Sequence, residues 1–140
     1  SRPAVSQSRA DTWIPGTGRI LMAEDNDVNQ FFLGEVLAAK GYSFEAVSNG
    51  REALDALTDP DKAFDLILMD CQMPEMDGYD ATRELRAREE QHGLTRVPVI
   101  AMTAHAMEWD REKCLAAGMD GYLTKPLRIE ELDAVLSDWL

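Results

Sequence analysis

Leu66-Ile67-Leu68-Met69 sets four apolar residues in succession ahead of Asp70 and a loop punctuated by Pro74 and Gly78. So short a run, closed by turn residues, fits a strand buried on both faces of a parallel sheet. The stretch 19–23 has the same form and ends on Glu24-Asp25-Asn26-Asp27. With 43–47, 97–103 and 122–124, the pattern predicts five strands, β1 (19–23), β2 (43–47), β3 (66–70), β4 (97–103) and β5 (122–124). Pro98 falls near the start of β4, where a strand tolerates it.

Between the strands the period changes. Over 27–40, Val28, Phe32, Val36 and Ala39 recur at helical spacing and Gly41 supplies a stop, which predicts α1. Gly34 inside it should weaken that helix by about 1 kcal/mol relative to Ala. Phe31 lies off this stripe, either covering the flank of the sheet or standing free as a docking residue. A short α2 (51–57) closes at Thr58-Asp59-Pro60-Asp61. A charged α3 (80–91) carries a sparse apolar face at Ala81, Leu85 and Ala87. Helix α4 (105–117) stops at Gly118, and α5 follows Lys125-Pro126 with Ile129, Leu132, Leu136 and Trp139 in helical rhythm.

Five alternations of strand and helix call for an α/β fold, a doubly wound parallel sheet with helices on both faces. One domain over 18–140 is expected. Residues 1–17, rich in Ser, Pro, Arg and Gly without a period, read as a linker or cloning remnant, with Trp13 and Ile14 able to fold back.

Composition narrows the function. The chain has 140 residues, 45% of them apolar and 29% charged, as a globular core requires. A net charge of −12 argues against nucleic acid as a direct partner. It suits solubility, and part of it could be a carboxylate cluster holding a cation. The two cysteines, Cys71 and Cys114, have no metal-ligand or redox spacing and read as small buried hydrophobes. No apolar run approaches the roughly 20 residues that span a bilayer, and no signal peptide opens the chain. A cytoplasmic location without membrane contact is expected, either as a free protein or as a cytoplasmic piece of a larger one.

Chemistry gathers at the strand ends. Glu24 and Asp25 follow β1, Asp70 ends β3, Thr103 ends β4 and Lys125 follows β5. A parallel sheet brings these ends to one edge, where open α/β sheets bind ligands. Carboxylates so close repel one another unless a cation sits among them, and oxygen ligands favour Mg²⁺. A lysine and a hydroxyl beside such a site suit a phosphoryl group.

Glu24-Asp25-Asn26, Met69-Asp70 through Met73-Pro74-Glu75-Met76-Asp77-Gly78, Met102-Thr103-Ala104 and Gly121-Tyr122-Leu123-Thr124-Lys125-Pro126 resemble the receiver domain of two-component response regulators. The resemblance covers roughly 18–140 and is strongest to receivers of hybrid sensor histidine kinases. It implies a flavodoxin-like (βα)5 sheet of order 2-1-3-4-5 and a cis bond before Pro126. It implies that Asp70 takes a phosphoryl group from a phosphohistidine, forming an acyl phosphate. Asp25, Asp70 and the backbone carbonyl of Gln72 would bind Mg²⁺, with Glu24 acting through water. Lys125 and Thr103 would contact the phosphoryl oxygens, and Tyr122 would be the aromatic that packs inward when Thr103 moves. Gln72 and His105 stand where residues tune the acyl phosphate's lifetime, or are solvated loop residues.

The partners implied are a kinase's phosphohistidine domain, a histidine phosphotransfer protein, or both, met through Phe31 and the Pro126–Leu127 loop. A monomer is the default. Trp109 on α4 is either a contact residue or packs against α3 or the linker. Met22, Met69, Met73, Met76 and Met102 read as core and loop packing. The domain would be a phosphoacceptor that catalyses its own phosphorylation and dephosphorylation, while the parent protein would be a hybrid histidine kinase. One alternative is a pseudo-receiver acting only as an interaction module, signalled by a degenerate acceptor or lysine. Another is an aspartyl phosphatase, which wants a carboxylate two residues after Asp70, where Gln72 stands.

Overall fold

Because strand residues alternate between two sheet faces, Ile20, Met22, Leu66, Leu68, Ile100 and Met102 share one core, while Leu21, Ala23, Ile67, Met69, Val99 and Ala101 share another. The computed structural model describes residues 18–59, 62–104 and 108–140, with 108–110 described by backbone alone. The strands are β1 (Arg19–Ala23), β2 (Ser43–Val47), β3 (Leu66–Asp70), β4 (Val99–Thr103) and β5 (Gly121–Thr124). The helices are α1 (Asp27–Ala39), α2 (Gly50–Leu57), α3 (Gly78–His92), α4 (Glu108–Ala117) and α5 (Ile129–Trp139). All pairings are parallel and the order is β2-β1-β3-β4-β5, so the flavodoxin-like fold is as expected. Strands β3 and β4 are buried along their whole length, which is why their sequences do not alternate.

Leu33 and Leu37 of α1 and Leu132 and Leu136 of α5 close one face. On the other, Ala53, Leu54 and Ala56 of α2, Tyr79, Ala81 and Leu85 of α3, and Cys114 and Ala117 of α4 pack against the sheet. Side-chain caps start three of these helices. Asn26 accepts from the Asn29 N–H, Asn49 from Glu52 and Asp77 from Asp80. Glu52 in turn accepts the N–H of Ser48, the residue before the cap, at 2.8 Å.

Three expected faces are corrected. On α1 the buried residues are Leu33, Gly34 and Leu37, while Val28 is 75% exposed and Phe32 is exposed as well. The helix carries apolar residues on two sides, and the Leu33–Leu37 pair wins because its side includes the small Gly34. A Cβ there would sit 2.8 Å from Cζ of Phe44, so glycine lets the helix approach β2 closely. Ala87 of α3 is exposed, and the helix instead buries Tyr79, Thr82 and Glu89. On α5, Ile129 and Trp139 are exposed. Strand β4 begins at Val99, two residues later than expected, and β5 one residue earlier, at Gly121. His105, Trp13 and Ile14 lie outside the described residues, as does the side chain of Trp109.

Glu89 is buried because Arg86 accompanies it. The Arg86 guanidinium donates to Glu89 Oε1, to Asp120 Oδ2 and to the carbonyl of Val97, each at 2.8 Å, and to the carbonyl of Gly118 at 2.9 Å. Glu89 Oε2 and Asp120 Oδ2 in turn accept the N–H groups of Val97 and Val99. This network fastens α3 to the start of β4 and to the turn before β5. Removing one partner would leave inward-facing charge uncompensated, so Arg86→Met should lower urea-measured stability by about 3 kcal/mol. Arg83→Met, which breaks only the exposed pair with Asp80, should change it by less than about 0.5 kcal/mol.

Candidate functional site

Strand register dictates what meets at the carboxyl edge. Ala23 pairs with Met69, Asp70 with Met102 and Thr103 with Thr124. Glu24, Asp70, Thr103 and Lys125 therefore leave the sheet at nearly one level. They line an open cleft of about 370 Å³ together with Asp25, Asn26, Asn29, Cys71, Gln72, Tyr79, Ala104 and Lys113.

Glu24, Asp25 and Asp70 each offer an oxygen, and these oxygens lie within 4.8 Å of one another. Asp25 is exposed, whereas Glu24 and Asp70 are buried. Lys125 Nζ donates to Asp70 Oδ2 at 2.8 Å and stands 3.0 Å from Glu24 Oε1. The latter contact is a charge contact out of hydrogen-bond alignment, which leaves Glu24 Oε1 buried without a donor. Glu24 Oε2 accepts the Asn26 N–H and Asp70 Oδ1 accepts the Gln72 N–H, both at 3.1 Å.

The electrostatics follow from burial. Desolvation raises the Asp70 carboxyl above its ordinary value, with the Lys125 ammonium and the Gln72 N–H pulling it back and the Glu24 charge adding to the rise. Desolvation opposes the Lys125 charge too, but its contacts with Asp70 and Glu24 outweigh it and hold that group above the usual lysine value. Beside the site, burial pushes the Cys71 thiol up to about 12, so Cys71 is an inert packing residue, as its sequence context suggested.

The loop from Cys71 to Asp77 folds back on the strand end, with Gly78 N–H donating to the Cys71 carbonyl at 3.1 Å. A Cβ on Gly78 would fall 2.2 Å from the Asp70 carbonyl oxygen, so only glycine lets α3 start this close to the carboxylate. Lys125–Pro126 is cis. Tyr122 is 37% exposed, and the Arg111 guanidinium lies 5.7 Å from its ring centroid. Gln72 is exposed at the cleft edge.

Sequence reasoning missed four contributors. Gln30 Nε2 donates to the carbonyls of Glu24 and Val47, which ties the end of β1 to β2. Asn29 lines the cleft, as do Tyr79 and Lys113. The aromatic directly after Gly78 was a readable signal for Tyr79. Lys113, one cation on a charged helix, gave none.

The donor set fits a divalent cation. Three carboxylates converge, one carboxylate oxygen is buried without a donor, and all the groups are hard oxygen ligands. Such a cation binds the deprotonated cluster, so MgCl₂ at tenfold its dissociation constant should add roughly 1.4 kcal/mol, about 5 °C in Tm. With a folded-state pKa above its unfolded value, Asp70 contributes stability that is lost as pH rises through the folded pKa. The Mg²⁺ increment should therefore grow over that same window. Asp70→Asn should abolish most of the increment in a thermal shift experiment.

Residues 20–137 match the family described as response regulator receiver domain. The sensor protein GacS of Pseudomonas syringae pv. syringae is 40% identical over 134 residues, and the match covers 94% of this chain but only 15% of that protein. The receiver domain of the sensor histidine kinase PA1611 from Pseudomonas aeruginosa is 45% identical, with a TM-score of 0.76 over 88% of this chain and 97% of that one. Its structure holds a magnesium ion coordinated in the active-site cleft. The receiver domain of Saccharomyces cerevisiae Ssk1, solved with the histidine phosphotransfer protein Ypd1, is 31% identical with a TM-score of 0.85 over 90% of both chains. With its fold, its strand-end residues and these matches in agreement, the chain belongs to the response regulator receiver domain family of two-component phosphorelays.

Proposed function

We propose that Asp70 is the phosphoacceptor, taking a phosphoryl group from a phosphohistidine and passing it to a phosphotransfer histidine. The observation that carries this reading is the Asp70 carboxylate itself. It ends a buried strand, opens into a cleft, meets two further carboxylates and pairs with Lys125 at 2.8 Å. In the transfer, the P–N bond to the donor imidazole breaks as a P–O bond to Asp70 forms, and the imidazole leaves neutral after protonation. Lys125 holds the nucleophile in place, then accompanies the charge of the transferred group. Thr103, at the end of β4, offers its hydroxyl to a phosphoryl oxygen. Asp25, Asp70 and the Gln72 carbonyl would hold Mg²⁺, with Glu24 acting through water. The bound ion supplies charge neutralisation on the phosphoryl oxygens. Phosphorylation then biases a two-state equilibrium that Thr103 and Tyr122 report. Gln72, exposed at the cleft edge, and His105, two positions after Thr103 in the sequence, would set the acyl phosphate's lifetime, as the family resemblance implies.

The partner surface is the outer side of α1 with the Pro126–Leu127 loop. Phe31 is 71% exposed, which removes the reading in which it covers the sheet's flank. Beside the acidic cleft, Phe32, Leu33, Pro126 and Leu127 line a second groove of about 510 Å³, running toward Lys125. A histidine-bearing helix seated there would bring its imidazole to Asp70. The Ypd1 complex of the Ssk1 receiver supports a partner of this class. The parent is proposed to be a hybrid histidine kinase, on the strength of relatives such as GacS. A pseudo-receiver would lack the acceptor or the lysine, and this chain has both.

Incubation with acetyl phosphate and Mg²⁺ should add one phosphoryl mass to the intact chain and none to Asp70→Asn or to wild type in EDTA. A wild-type chain that gains no mass would favour the interaction-only reading. Phe31→Ala should slow transfer from a phosphorylated histidine domain roughly tenfold, the loss of about 1.4 kcal/mol of contact, while Tm stays within about 2 °C. An unchanged transfer rate would remove Phe31 from the docking surface.

A further inference from the structure

Lys113 of α4 lines the acidic cleft on the side opposite α1, next to Tyr79. Its Nζ stands 4.4 Å from the centroid of the Tyr79 ring. That ring is fixed, because Tyr79 is buried in the first turn of α3 and belongs to the same core as Cys71 and Cys114. An aromatic face attracts an ammonium ion, so a long and otherwise exposed side chain is held at the cleft wall.

The cleft's charge balance explains what such a cation does. Glu24, Asp25 and Asp70 bring three negative charges and Lys125 one positive charge. A divalent cation brings that sum to zero. A phosphoryl donor then arrives with two more negative charges, and Lys113 is the remaining cationic residue lining the cleft among the described residues.

We propose that Lys113, held on the Tyr79 ring at the cleft wall, is a positioning residue that draws the incoming anionic phosphoryl donor toward Asp70. This rests on Asp70 being the phosphoacceptor. With acetyl phosphate as donor, the P–O bond to acetate breaks, the P–O bond to an Asp70 carboxylate oxygen forms, and acetate leaves with its electron pair. No proton needs to move. Lys113 acts before that step by stabilising the bound dianion and takes no part in bond exchange. Its contribution should therefore fall on donor concentration dependence and fade with salt.

The test is the initial rate of phosphorylation against acetyl phosphate concentration, with saturating MgCl₂, at low and high NaCl. Lys113→Met should raise the half-saturating concentration about three- to tenfold at low salt, as expected for one charge acting on a dianion across a wet cleft. The limiting rate should change by less than about twofold, and the difference should largely vanish near 0.5 M salt, where the Debye length falls to about 4 Å. Lys113→Arg should restore the wild-type curve. A Lys113→Met curve superimposed on that of wild type, or a Lys113→Arg curve displaced as far as that of Lys113→Met, would overturn the assignment. If wild type itself takes no phosphate at any donor concentration, the phosphoacceptor reading fails first and this assignment falls with it.

Discussion

Mutual repulsion among Glu24, Asp25 and Asp70 is the constraint on which the rest of the structure depends. Their oxygens are held within 4.8 Å of one another although two of the three side chains are buried. Nothing local makes that arrangement comfortable. Lys125 offsets part of it, standing 2.8 Å from Asp70 Oδ2 and 3.0 Å from Glu24 Oε1, and one positive charge against three leaves the rest. A site strained by like charge is ready for a cation, and in its presence for a dianion.

The fold supplies the force that keeps these charges together. Parallel register sets Glu24, Asp70, Thr103 and Lys125 at one edge, and both faces of β3 are sealed by apolar side chains. Moving Asp70 away would mean sliding a strand whose every side chain is packed. The Arg86 network and the Gly78 contact secure the adjoining α3 in the same way, one by charge and one by the lack of a side chain. Helix α1 keeps Val28, Phe31 and Phe32 in solvent, and this apolar side is the one proposed to meet a partner.

Most of the fold was legible because β3 and β4 are unbroken apolar runs and because Gly41 and Gly118 end helices where the chain must turn. The convergence of Glu24, Asp25, Asp70, Thr103 and Lys125 was legible for the same reason, since a parallel sheet leaves their strand ends no other place to go. Helix faces were less so. In α1, two apolar stripes compete, and the choice rests on Gly34 meeting Phe44 of β2, a contact that spacing does not encode. Glu89 reads as a surface residue until Arg86 is seen to bridge it to Asp120. Lys113 and Tyr79 come together across two helices far apart in sequence, and no local pattern announces them.

The most direct test of the central claim is a backbone amide spectrum of the ¹⁵N-labelled chain titrated with beryllofluoride, a phosphoryl mimic, with and without Mg²⁺. Asp70 as the one acceptor, coupled to the far strand ends, predicts Mg²⁺-dependent shifts at Asp70, Thr103 and Tyr122 that disappear in Asp70→Asn. Shifts that persist in Asp70→Asn, or a spectrum that beryllofluoride leaves unchanged in wild type, would contradict it.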